Sequence, residues 1–120
     1  MNEAQRAPIE VEMYECYSQT SVRVPNLSAL RERLDILGVV LRFSTTHRGR
    51  ETSLKFDGGQ AILKSSDKDL FLWVAAENIL LLFGIQTVLE ANILEVSIDL
   101  SRATTPPAIF WSSAEATPFS

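Results

Sequence analysis

Two spacings of apolar residues divide the chain into elements: every second residue in some stretches, every third and fourth in others. Ile9, Val11 and Met13 alternate with Glu10 and Glu12, the period of a half-buried strand. The apolar phase then moves to Tyr14 and Cys16, which predicts a bulge or register change near Met13–Tyr14. Val22 and Val24 continue that strand or form a short separate one. Pro25 and Asn26 open a helix, because Leu27, Leu30, Leu34 and Leu37 make one stripe at helical spacing while Arg31, Glu32, Arg33 and Asp35 take the wet side. Gly38 is expected to stop it as a left-handed C-terminal residue.

Strand periodicity follows. Val39, Leu41 and Phe43 alternate with Val40 and Arg42, a polar tip spans Thr45–Arg50, and Thr52, Leu54 and Phe56 alternate again. Asp57-Gly58-Gly59 signals a tight turn, Ala61–Leu63 a further strand and Ser65–Lys68 a further turn. Leu70–Ala76 is apolar at every position, as in a central strand covered on both faces. Glu77–Ala91 reads as a helix with Leu81, Leu82, Ile85, Val88 and Leu89 inward. Gly84 opposes that helix by about 1 kcal/mol, but a strand pair would need a turn there, and no second turn residue flanks it. Asn92 is a natural stop, after which Leu94, Val96, Ile98 and Leu100 alternate with polar residues as a strand with one wet face. The order is β-α-β-β-β-β-α-β. It predicts an α+β fold in which two helices pack on an antiparallel sheet of five to six strands.

A chain of 120 residues is one domain, and it can bury enough surface to fold without a disulfide or metal. We expect its core in 8–101, a flexible start in 1–7 and a tail in 102–120 whose Ile109, Phe110 and Trp111 favour docking despite three prolines. Charge is unevenly spread. Met1–Lys68 holds 10 basic and 9 acidic residues, and Asp69–Ser120 holds 1 and 6. The net charge of −4 argues against general nucleic-acid binding. The N-terminus lacks an apolar signal-peptide core. The charge-free run Asn78–Leu89 is shorter than the ~20 residues that span a bilayer. The expectation is a soluble cytoplasmic protein with no membrane or nucleic-acid partner.

Candidate chemistry is sparse. Thr46, His47, Arg48 and Arg50 gather hydroxyl, imidazole and guanidinium groups around Gly49, a set that suits an anion if they lie on one loop; a solvated hairpin tip is the plainer reading. Cys16 and His47 are the only residues of their types, too few for a disulfide or a tetrahedral metal site, and neither a catalytic residue nor a cofactor is expected. Gly58-Gly59-Gln60 spells the tripeptide of peptide-chain release factors, but the resemblance covers three residues placed after Asp57 between apolar strands, where a β-turn explains them. Glu10, Glu12 and Glu15 make an acidic edge that suits basic groups on a partner; the plainer reading is that it keeps a first strand soluble and discourages edge-to-edge pairing.

The most useful hint comes from the second helix. With its leucines packed inward, Ile79 and Phe83 point away from the core beside Gln86 and Glu90, and Phe110 and Trp111 can either cover them or join them as a contact surface. The function expected is therefore that of a non-enzymatic protein-binding module, a small acidic inhibitor, immunity or antidefence protein. Its partner would be another protein, basic in character, or a second copy of this chain. The alternative is a small-ligand or anion-binding domain using the Thr45–Arg50 tip.

Overall fold

The computed structural model describes residues 14–24, 26–67, 69–100 and 109–119. The elements are β1 (Cys16–Arg23), α1 (Leu27–Leu41), β2 (Ser44–Arg48), β3 (Glu51–Phe56), β4 (Gly59–Ser66), β5 (Asp69–Ala76), α2 (Ile79–Leu100) and β6 (Ser112–Ser113). The six strands form one sheet in the order β2-β3-β4-β5-β1-β6, with every neighbouring pair antiparallel. The fold is α+β, with two helices on one face of an antiparallel sheet. The strand expected at Ile9–Met13, and the bulge placed at its end, lie outside the described residues.

Tight hairpins build the middle of the sheet. Asp57 and Gly58 link β3 to β4 between the paired Phe56 and Gly59, and Gly58 takes φ +86°, which only glycine adopts without strain. The release-factor tripeptide is therefore this turn and the first two residues of β4. Strand β5 sits between β4 and β1 and is covered on both sides. Leu70, Leu72, Val74 and Ala76 face the helices; Trp73 and Ala75 face away and are also buried.

Both helices lie on the first of these faces. From the end of β1, α1 crosses the sheet to β2 at the far edge; α2 leaves the end of β5 and runs back over β5, β1 and β4. Ser44 is in line with Lys55, Gln60 and Ala75 across the ladders, so the C-terminus of α1 and the N-terminus of α2 share one end of the sheet. The helices are antiparallel. Arg33 joins them, its Nε donating to Asn92 Oδ1 at 3.1 Å and its Nη2 pairing with Glu95 at 2.6 Å.

Three sequence-predicted boundaries are corrected. Helix α1 does not end at Gly38 but runs to Leu41, so Val39–Leu41 are helical and not strand. The left-handed cap is Arg42, with φ 63°. Gly38 has a packing role instead: a Cβ there would meet the Phe43 carbonyl oxygen at 2.8 Å. Helix α2 likewise does not stop at Asn92, and the strand expected over Leu94–Leu100 is its continuation. Asn92 is satisfied inside the helix, donating to the Val88 carbonyl at 2.7 Å and accepting from Arg33. Leu82, Ile85, Leu89, Ile93 and Val96 are buried at helical spacing, which outweighs the local alternation. Third, the polar tip Thr45–Arg50 is mostly strand β2, with only Gly49 and Arg50 in the turn. The last strand of the expected order exists, but at Ser112–Ser113.

That strand belongs to a C-terminal strap. Ile109 and Trp111 pack against the core cluster, and Trp111 Nε1 donates to Glu90 Oε2 at 2.5 Å on the helix side. Ser112 and Ser113 pair with Gln19 and Ser18 along the outer edge of β1. Beyond that edge the Glu115 carbonyl accepts from Trp73 Nε1 at 2.9 Å on the opposite face. The strap thus wraps round the sheet edge from one face to the other.

Candidate functional site

Edge strand β2 separates the residues expected to hold an anion. Alternation turns His47 toward the helix face, while Thr46 and Arg48 point to the opposite face and Arg50 sits in the turn. The four do not converge. His47 instead enters a local network: Nε2 lies 2.9 Å from Asp35 Oδ1 on α1, and Nδ1 lies 2.9 Å from Thr52 Oγ1 on β3. Thr45 Oγ1 donates to the same Asp35 oxygen at 2.8 Å. Burial pushes the Asp35 carboxyl upward, but hydrogen bonds from Thr45 and His47 and the charges of His47 and Arg31 outweigh it, leaving the pKa below its ordinary value.

Carboxylate, imidazole and hydroxyl in a row have the composition of a nucleophilic triad, yet the geometry is that of a clip. Thr52 is only 1% exposed, so no substrate reaches its hydroxyl. Both imidazole nitrogens are hydrogen-bonded within the chain, Nε2 to the Asp35 carboxylate and Nδ1 to the Thr52 hydroxyl. What the arrangement does is pin α1 to the β2–β3 edge. Cys16 lies on β1, four strands away from β2, so a Cys/His pair is ruled out at about 19 Å of sheet width. Among the described residues no group of three or more His, Cys, Asp or Glu is placed to hold a metal.

The stripe singled out on the second helix has a mixed fate. Ile79 and Phe83 remain exposed, whereas Gln86 Nε2 donates to Ser18 Oγ at 2.7 Å and Glu90 is held by Trp111. Trp111 is half-buried against the core; Phe110, its neighbour, is exposed on the strap. Ile79, Phe83, Gln86, Trp111 and the half-buried Cys16 line an open hollow of about 430 Å³ between α2 and the strap.

A larger feature includes the last turns of α1, which the sequence pattern assigns to a strand. Nine large hydrophobic residues are exposed among those described, and seven lie on the two helices: Ile36, Val39, Val40 and Leu41 on α1, and Ile79, Leu80 and Phe83 on α2. These are the C-terminal part of α1 and the first turns of α2, which lie at the same end of the sheet. Ile36, Val39 and Val40 are spaced i, i+3, i+4, a second apolar stripe behind the one that faces the core. No charged residue occurs among Ile36–Leu41 or Asn78–Leu89. Helix α2 is also long and apolar enough, by length and composition alone, to cross a membrane, but here its inner face packs on the sheet.

No known protein family matches the sequence, and no curated protein does. Among solved structures, the chain is similar to the NMR structure of PA4090 from Pseudomonas aeruginosa, with a TM-score of 0.61 and 17% sequence identity over 84% of this chain and 99% of that one. At this identity the likeness establishes a shared fold and nothing about activity.

Proposed function

We propose that the protein is a non-enzymatic binding module that seats a partner protein on the outer surface of its helix pair and acts by occluding that partner. The observation that carries the reading is the gathering of seven exposed aliphatic and aromatic side chains at one end of the helix layer. Apolar side chains scattered singly over a surface are ordinary, but seven of them on two adjacent helix ends, with no charged residue among Ile36–Leu41 or Asn78–Leu89, favour a contact surface. Its composition suits the dry centre of an interface, from which charged residues are depleted, while Arg33, Arg42, Glu77 and Glu95 on the same two helices and their ends offer a polar rim. The acidic balance of Asp69–Ser120 favours a partner with a basic rim. The clip at His47 supports a non-catalytic reading, because its groups are spent on holding the fold.

The test is a Val39→Asp, Phe83→Asp variant compared with the unaltered protein by affinity capture from the native host and by size-exclusion chromatography with light scattering. A stoichiometric partner captured by the unaltered chain and lost by a folded variant supports the reading, and a dimer that dissociates in the variant identifies the partner as a second copy. A strictly monomeric protein that captures nothing, or one whose complexes ignore both substitutions, would remove it.

A further inference from the structure

The sheet face away from the helices carries a different chemistry. Gln19 and Ser21 on β1, Lys64 on β4 and Phe71 on β5 point to this side, and the strap contributes Phe110 and Phe119. Together they line a cavity of about 740 Å³, within the ~300–1,000 Å³ usual for small-molecule sites. The strap wall is firmly tied: Thr20 Oγ1 donates to the Phe110 carbonyl at 2.6 Å, Ser112 and Ser113 extend the sheet, and Trp73 holds Glu115. The cavity is thus built by tertiary contacts on both sides.

Its lining is amphipathic in a specific way. Phe71 and Phe110 are left 37% and 79% exposed, although Trp73 on the same face is only 3% exposed. Lys64 Nζ lies 5.8 Å from the centroid of the Phe119 ring and makes no ion pair among the described residues. Glu51 stands directly opposite Lys64 on β3, on the same face, yet does not pair with it. An ammonium beside the Phe119 ring, with no ion pair among the described residues, in a cavity that Phe71 and Phe110 also line, complements a ligand with a single negative charge and a flat apolar body. Among the described residues Lys64 is the one cation that lines the cavity, and no arginine joins it. Glu51, cross-strand from Lys64, adds a negative charge nearby, so a single negative charge suits the site better than two.

We propose that this cavity binds an aromatic monocarboxylate, with its carboxylate on Lys64 and its ring among Phe71, Phe110 and Phe119. The proposal stands apart from the helix-face reading, since the two surfaces lie on opposite sides of the sheet. Because two of the three rings belong to the strap, occupancy also holds the strap against β1 and β5.

The test is an NMR titration of the full chain with 3-phenylpropanoate, its uncharged analogue 3-phenylpropanamide, and octanoate, following the Trp73 and Trp111 indole N–H resonances. We expect 3-phenylpropanoate to shift Trp73 saturably at millimolar or lower concentration while Trp111, on the helix side, barely moves. The amide should bind about tenfold more weakly, the scale of one charge-assisted contact. Lys64→Met should weaken the acid by about the same factor and leave the amide unchanged. Glu51→Gln, at a partly exposed position, should strengthen the acid severalfold and keeps the test decisive if the Lys64 variant folds poorly. No saturable shift, equal binding of acid and amide, or indifference to both substitutions would overturn the site. Binding of octanoate alone would overturn the aromatic assignment.

Discussion

The two surfaces of the helix pair are made of the same kinds of residue and have opposite surroundings. Toward the sheet, Leu30, Leu34, Leu82, Ile85, Leu89 and Ile93 are sealed, none more than 5% exposed. Away from it, Ile36, Val39, Val40, Leu41, Ile79, Leu80 and Phe83 stand in water. Hydrophobicity therefore does not tell core from exposed surface in this chain. What separates them is whether the fold itself supplies a cover. The inner surface should carry stability and the outer one association, and substitutions can break or sharpen that division.

The largest effect is expected on the inner surface. Leu89→Ala removes a side chain with no solvent exposure and leaves a cavity between α2 and β5, so denaturant unfolding should show a loss of about 2–5 kcal/mol. Gly38→Ala comes next. Alanine favours a helix by about 1 kcal/mol, but its methyl would lie 2.8 Å from a backbone carbonyl oxygen that cannot rotate away. Overpacking costs about 1–3 kcal/mol, so the net result should be a destabilisation of about 1 kcal/mol; a stabilised variant would show that the end of α1 is looser than its packing implies.

A smaller effect is expected where the strap meets α2. Trp111→Phe keeps an aromatic side chain but removes the indole donor to Glu90 and part of the packed ring, which should cost at least the hydrogen bond's contribution of about 0.5–1.5 kcal/mol. Acid titration probes the clip at the other edge. The Asp35 carboxyl is held below its ordinary pKa by its hydrogen bonds, so it stabilises the fold fully above the unfolded value and loses that contribution as pH falls through the folded one. The difference in stability between the unaltered protein and Asp35→Asn should accordingly shrink in that acid range. A difference that stays constant with pH would mean that the carboxylate charge is not what the clip uses. The contribution is modest, because Asp35 is half exposed and solvent screens it.

Much of this fold was legible in the sequence, and the failures share a cause. The stripe Leu27-Leu30-Leu34, the Asp57-Gly58 turn and the doubly apolar β5 are local signals that the tertiary structure leaves in place. Val39–Phe43 and Leu94–Leu100 were misread because apolar residues two apart fit a strand, while the helical spacing that decides the matter runs through residues further back, Leu34 in one case and Leu89 and Ile93 in the other. Ser97 looked like a wet strand position, yet it is buried and its hydroxyl donates to the Ile93 carbonyl within the helix. Strand β2 looked like a loop because an edge strand of polar residues has no apolar period at all; only its ladder with β3 defines it.

The exposed apolar surface of the helices is half legible in the sequence. Ile79 and Phe83 emerged from helical geometry, but the α1 contribution was hidden once Val39–Leu41 had been assigned to a strand. The partnership of Asp35 with His47 joins residues 12 apart on different elements and has no local signature. The C-terminal aromatics announced docking, but not that Trp111 and Glu115 would grip opposite faces of the sheet.

The central claim, that the outer helix surface exists for association and not for the fold, is tested most directly on the Val39→Asp, Phe83→Asp variant. Measuring its unfolding free energy beside its association state by light scattering and partner capture separates the two roles. Substitutions at positions the fold does not use typically change stability by no more than about 0.5 kcal/mol each. We predict a variant of nearly unchanged stability that no longer associates. A variant that unfolds readily, or one that associates as the unaltered chain does, would contradict the account.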